Sequence, residues 1–133
     1  MMETFNRLEG IDWDPVSIEP AASQLIADPA LGAIGLIKSE SEPVGYFVLS
    51  WGYDLEWRGR DAYLTELYVD PAWRGQRVGA QALALIEDLV RVNGASAMHL
   101  MVRPENEPAV RLYASAGYRS PPRVFLTKML GLR

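Results

Sequence analysis

Residues Val69–Val90 read VDPAWRGQRVGAQALALIEDLV. The first half crowds Arg74, Gly75, Arg77 and Gly79 into one short loop. The second half sets Val78, Ala82, Leu85, Ile86 and Leu89 at i, i+4, i+7, i+8 and i+11, a single helix face. Asn93-Gly94 then stops the helix. A helix starts adequately on a Ser or Asp cap, so two arginines and two glycines at its mouth ask for a further reason.

The flanks decide the fold around this helix. AYLTELYV (Ala62–Val69) before it reads as a strand. SAMHLMV (Ser96–Val102) after it is a mostly apolar strand, expected to be buried on both faces. Strand, helix, strand makes a βαβ unit with parallel strands and a right-handed crossover. Further out, METFNRL (Met2–Leu8) reads as helical, broken by Gly10 and Pro15, and Ser17–Asp28 as a short helix. Leu31–Lys38 reads as a strand and Ser39–Pro43 as a turn. The aromatic-rich stretch Val44–Trp57 reads as a long strand bulged at Gly52, and Arg58–Asp61 as a hairpin turn. Asn106 is placed to cap a second helix, with Pro108 in its first turn and Gly117 beyond its end. Arg123–Leu130 reads as a closing strand. The expected class is α+β, an antiparallel sheet extended by one parallel βαβ pair.

The chain has 133 residues, the size of one domain. A single domain spanning 1–133 is expected, with a short helical part (1–30), antiparallel strands (31–70) and a ligand-binding half (71–133). There is no cysteine, which removes disulfides and thiolate metal sites, and only one histidine, His99, so no metal centre is expected. His99 lies among apolar residues and reads as structural; Met98, Met101 and Met129 read as core filler. A net charge of −4 argues against a general nucleic-acid binder. No basic-then-apolar leader and no apolar run of about 18 residues is visible, so the expectation is a cytoplasmic protein without a membrane partner.

Ligands of open sheets gather beyond the carboxyl ends of parallel strands. Here that is the loop Asp70–Gly79. It feeds a helix N-terminus whose first N–H groups lack internal partners and carry about half a positive charge. Glycines admit a ligand close to the backbone, and arginines offer paired donors to phosphate oxygens. The stretch therefore has the makings of a phosphate cradle. The bland alternative is a solvated turn with surface arginines. Gly-Lys-Ser/Thr and G-x-G-x-x-G are both absent, which disfavours a nucleoside triphosphatase and a dinucleotide site.

ELYVDPAWRGQRVGAQAL together with VRPENEPAVRLYASAGY resembles the GNAT superfamily of N-acetyltransferases. Arg74-Gly75-Gln76-Arg77-Val78-Gly79 matches the family's R/Q-x-x-G-x-G/A, and Asn106, Ala109, Tyr113, Gly117 and Tyr118 match N-x-x-A-x-x-x-Y-x-x-x-G-F/Y. The resemblance covers Ile34 to Leu130. Arg77 stands where the family usually has its first glycine, and the family's first strand has no counterpart. That bare edge and the aromatics of Val44–Trp57 point to a homodimer.

The resemblance implies transfer of an acetyl group from acetyl-CoA to a primary amine of a small molecule or peptide. It places the cofactor on Arg74, Gly75, Gln76, Arg77, Val78, Gly79 and Ala80, with Asn106 and Ala109 from the second motif. It places an oxyanion donor on the backbone around Leu67, Tyr68 and Val69. Tyr113 matches the general acid; its alternative is a helix-face core aromatic. Glu66 is the candidate base for the amine, with Asp54 and Glu56 as rivals. Strand parity opposes Glu66, because Tyr63, Thr65, Leu67 and Val69 share the other face unless a bulge intervenes. Trp51, Tyr53 and Asp54 are candidate acceptor residues, the rings offering a face to a cation. A chain that binds acyl-CoA without turnover, as a regulatory module, is the alternative reading.

Overall fold

A computed structural model describes residues 1–131, and Leu132 and Arg133, the end of the expected ligand-binding half, lie outside the described residues. The chain forms two units, Met1–Met101 and Val102–Arg133. In the first, helices α1 (Met2–Leu8) and α2 (Pro15–Ala27) precede strands β1 (Gly32–Ser39) and β2 (Glu42–Asp54). A 3-10 turn (Leu55–Trp57), β3 (Gly59–Val69), a second 3-10 turn (Pro71–Trp73), α3 (Val78–Val92) and β4 (Met98–Leu100) follow. The sheet order is β1-β2-β3-β4. β1, β2 and β3 pair antiparallel, and β3 pairs parallel with β4 across the α3 crossover. This is the expected α+β arrangement, with β1 at one edge.

Two register shifts shape the sheet. Val44 is an extra residue in β2, because Ile37 pairs with Gly45 while Lys38 pairs with Pro43. Thr65 is an extra residue in β3, because Val48 pairs with Glu66 while Leu49 pairs with Leu64. The expected bulge at Gly52 is not there; Gly52 pairs regularly with Asp61. Glycine serves another need at that point, since an added Cβ would collide with Asp61 Oδ1.

Other expectations shift in position. The hairpin turn falls at Leu55–Arg58, earlier than Arg58–Asp61, because Asp54 caps a 3-10 turn and Arg58 closes it in the left-handed region at φ 61°. β4 is three residues long and half-buried, shorter and more exposed than the run Ser96–Val102 suggested. Apolar composition exceeds pairing here: β4 keeps its ladder only while β3 stays alongside.

Opposite faces of the sheet carry different cargo. Tyr46, Val48 and Tyr68 form a buried cluster on which Met2, Phe5, Leu25 and Ile34 pack, so α1 and α2 cover that face. Phe47, of opposite parity, meets α3 across an apolar groove of about 350 Å³. α3 buries Ala82, Leu83, Ile86 and Val90. The expected stripe is thus rotated: Leu85 is 70% exposed, and it lines the groove with Leu89 instead of entering the core. The helix carries more leucine and alanine than one face can use, so periodicity alone does not choose among them.

The second unit holds α4 (Glu107–Ser115), capped by Asn106, whose Oδ1 accepts from Ala109 N at 3.3 Å. Gly117 follows its end with φ +95°, as expected of a helix stop. The expected strand Arg123–Leu130 is absent: those residues carry no strand, and Val124, Leu126 and Leu130 are exposed. A strand exists only through a partner's ladder, and the described residues of this unit contain none.

Leu83 is 1% exposed and central to α3. Leu83→Ala should lower the unfolding free energy by about 2–5 kcal/mol, read from the midpoint of a urea melt.

Candidate active site

β3 is flanked on both sides for only part of its length. β2 pairs with it from Gly59 to Val69, whereas β4 pairs only with Ala62, Tyr63 and Leu64. From Thr65 to Val69 the outer edge of β3 has no strand partner within this unit. Backbone donors and acceptors on such an edge must find solvent or a ligand. Leu67, Tyr68 and Val69, the expected oxyanion segment, lie on this edge. Where β3 ends, the Asp70–Gly79 loop begins.

The loop is fixed by its own side chains. Asp70 Oδ1 accepts from Ala72 N at 3.0 Å, starting the 3-10 turn Pro71–Trp73. Arg74 Nε donates to Val69 O at 2.9 Å, and its guanidinium lies 5.6 Å from the Tyr68 ring centroid. The cradle's first arginine is thereby tied to the last residue of β3. Gln76 Nε2 donates to Ala72 O at 3.3 Å. Gly75 has φ +79° and Arg77 φ +63°, two left-handed residues flanking Gln76. Such alternation turns successive amides toward a common concavity. Arg77 is the N-cap of α3 and makes no side-chain cap, and the first turn holds no acidic residue. The amides at Val78, Gly79 and Ala80 therefore open the helix without a carboxylate to neutralise them. An added Cβ at Gly75 meets nothing, so the concavity is empty of protein atoms there.

Glu66 lies on the face opposed by the simple parity count, because the Thr65 bulge resets the alternation. Tyr63, Glu66 and Tyr68 share one face. Glu66 Oε1 accepts from Tyr46 Oη at 2.6 Å and from Asn6 Nδ2 at 3.4 Å. Asn6 is 6% exposed and also donates to Met2 O at 2.8 Å. Phe5 meets Tyr46 edge-on at 6.2 Å, and Tyr46 and Tyr68 lie 6.0 Å apart. Burial above all, then the hydrogen bond to Glu66 and its charge, push the Tyr46 hydroxyl well above the usual phenol range.

Two candidates of the first unit lie off the face that bears Glu66. Trp51 pairs with Ala62 and Tyr53 with Arg60, which puts both rings on the opposite face. Trp51 Nε1 donates to Pro29 O at 3.0 Å, and its ring already faces the Arg60 guanidinium at 5.5 Å. Asp54 Oδ1 accepts from Glu56 N at 2.9 Å, a capping role. Tyr113, in the second unit, is half-buried on α4 and meets Tyr118 edge-on at 5.9 Å. Asn106 and Ala109 form the cap of α4. Among the described residues no group of three or more His, Cys, Asp or Glu is placed to hold a metal, and no helix is long and apolar enough to cross a membrane.

Sequence reading missed two features. One is the Tyr46–Glu66–Asn6 network, which needs α1 laid on the sheet. The other is a pair formed by His99 Nε2 and Asp61 Oδ2 at 2.9 Å, flanked by Tyr63 and Trp57. Only the parallel register, Tyr63 against His99, brings that pair together.

The pattern described as "Acetyltransferase (GNAT) family" matches residues 2–118. The thialysine N-epsilon-acetyltransferase of Bos taurus is 34% identical over 74 residues, 56% of this chain and 43% of that protein. The chain spans about half the length of the curated relatives it matches. An integron cassette protein from the mobile metagenome of Cole Harbour Salt Marsh superposes with a TM-score of 0.83 at 28% identity, covering 97% of this chain and 80% of the other. An aminoglycoside acetyltransferase from an uncultured soil metagenomic sample shares the fold, with a TM-score of 0.77 at 14% identity over 96% of this chain and 84% of its own.

Three outcomes test the site's internal forces. Arg77→Gly should raise stability by about 1 kcal/mol by relieving the left-handed conformation, read by urea unfolding. The raised Tyr46 hydroxyl gives stability that is complete below the unfolded phenol value of about 10 and is lost as pH climbs through the folded value. In an alkaline absorbance titration, one of the six tyrosines should therefore ionise only as the protein unfolds. Tyr46→Phe should abolish that delayed step and cost about 1.5–3 kcal/mol.

Proposed function

The chain belongs to the acetyltransferase (GNAT) family, and on that premise we propose that it moves an acetyl group from acetyl-CoA to a primary alkyl amine of a small molecule or protein. One observation carries the reading: an uncapped helix mouth, with two left-handed residues before it, opens beside a strand edge left without a partner. The thialysine amine named for the cattle relative supports an alkyl amine as the acceptor class.

The residues present fit the coenzyme. Gly75 to Ala80 and Arg74 would hold its pyrophosphate, by amide hydrogens and guanidinium charge. Acetyl-CoA supplies an activated thioester. The free edge of β3 around Leu67 to Val69 would offer a backbone N–H to the carbonyl oxygen as it gains charge. Tyr113 is proposed to give a proton to the departing sulfur, so that it leaves as a thiol. The acceptor enters as an ammonium, of which only about 0.1% is neutral at pH 7, so a proton acceptor is required as well.

Incubating the protein with acetyl-CoA and a panel of alkyl amines should release free thiol at a rate set by the amine. Arg74→Ala should weaken coenzyme binding about tenfold, the loss of one charge-assisted contact worth roughly 1.4 kcal/mol, measured by calorimetry. Tight coenzyme binding without thiol release from any amine would instead make the chain a binding module.

A further inference from the structure

Resting on the acetyl-transfer reading, we propose that His99 is the proton acceptor for the amine, and that Asp61 positions it. Asp61 is 4% exposed, and its Oδ2 lies 2.9 Å from His99 Nε2. A carboxylate only accepts, so Nε2 carries the hydrogen, and in the neutral ring Nδ1 keeps its lone pair. Nδ1 has no hydrogen-bond partner among the described residues. It is not sealed off either, since no buried side-chain nitrogen or oxygen among them lacks a partner. It is therefore an acceptor that solvent or a ligand can reach, on an imidazole whose side chain is 24% exposed.

Three features hold the ring in this state. Gly52 leaves the space that Asp61 Oδ1 fills, and any Cβ there would displace the carboxylate. Tyr63 and Trp57 flank the ring, with centroids 4.9 and 5.3 Å from it. Asp61 and Tyr63, both on β3, are titratable groups in contact with it. Position matters as much. The Tyr63–His99 pair is the last but one before β3 and β4 part at Leu64–Leu100. The Thr65 bulge puts Tyr63 on the same face as Glu66. The imidazole thus stands where the free edge of β3 begins, on the side that bears the carboxylate.

Glu66 is less suited to the task. Its Oε1 is already taken by Tyr46 Oη and Asn6 Nδ2, whereas the His99 ring keeps one nitrogen open. In the proposed step an ammonium N–H bond breaks, its proton goes to Nδ1 and its electron pair stays on nitrogen. Nitrogen then bonds the acetyl carbon as the carbon–sulfur bond breaks. The electron pair leaves on sulfur, sulfur takes its proton from Tyr113, the nitrogen's second proton passes by way of solvent to restore the tyrosine, and His99 returns its own to solvent.

His99→Gln keeps a donor for Asp61 and removes the base. It should lower kcat about 100-fold and erase the rise of the pH–rate profile in the neutral range, with coenzyme affinity unchanged by calorimetry. Asp61→Asn should shift that rise and cost less. A readout without turnover comes from ring nitrogen NMR, because His99 is the chain's one histidine and needs no assignment. It should show hydrogen on Nε2 at pH 8 and a shift of Nδ1 when an alkyl amine is added. His99→Gln within threefold of wild type with the profile intact, or a ring that carries its hydrogen on Nδ1 and ignores amines, overturns the proposal. Loss of the neutral rise in Glu66→Gln alone hands the role to Glu66. Thiol release by the wild type with His99→Gln unimpaired sinks this proposal only, while no release by the wild type sinks acetyl transfer and this proposal with it.

Discussion

β3 has neighbours of opposite sense and unequal length, and that inequality organises the first unit. An antiparallel partner runs beside it throughout, while the parallel one leaves after three pairs. A backbone edge next to solvent is a standing demand for hydrogen bonds. Here the demand falls at the carboxyl end of the strand, where the chain turns into the loop Asp70–Gly79 and then into α3. Arg74 fastens the loop to the strand through Val69 O. The amides of the loop from Asp70 to Arg74 are bonded within the protein, so the Arg74 tether, and not a run of open donors, joins the free edge to the helix mouth.

The parts set by local chemistry were legible in the sequence. Asn106 capping α4, Gly94 and Gly117 ending helices, and the βαβ unit all rest on short-range rules, and each is found near its expected place. The parts decided by pairing were not. Nothing in AYLTELYV says that Thr65 is the residue to be skipped, yet that skip decides the side on which Glu66 stands. VGYFVLSWGYDLEW gives no sign that the shift falls opposite Val48 rather than at Gly52. The run Arg123–Leu130 has every property of a strand except a partner. Leu85 and Leu83 are equal in composition, and only the packing of α3 separates them.

His99 is instructive in the same way. Mid-strand among apolar residues, it reads as filler, and by sequence Asp61 belongs to a turn. Register makes them neighbours. Arg77 shows the converse. Its residue type departs from the family motif, but its backbone takes the left-handed shape a glycine would take. An arginine holds that shape at a conformational cost of about 1–2 kcal/mol.

The skipped residue in β3 has a consequence for deletions. Leu64 and Glu66 oppose consecutive residues of β2, so losing Thr65 would splice the ladder without turning either of them to the other surface. Asp61, Tyr63 and Glu66 would keep their common side. What would vanish is the local bend and added twist that an unpaired residue gives a strand, just where β4 parts from β3.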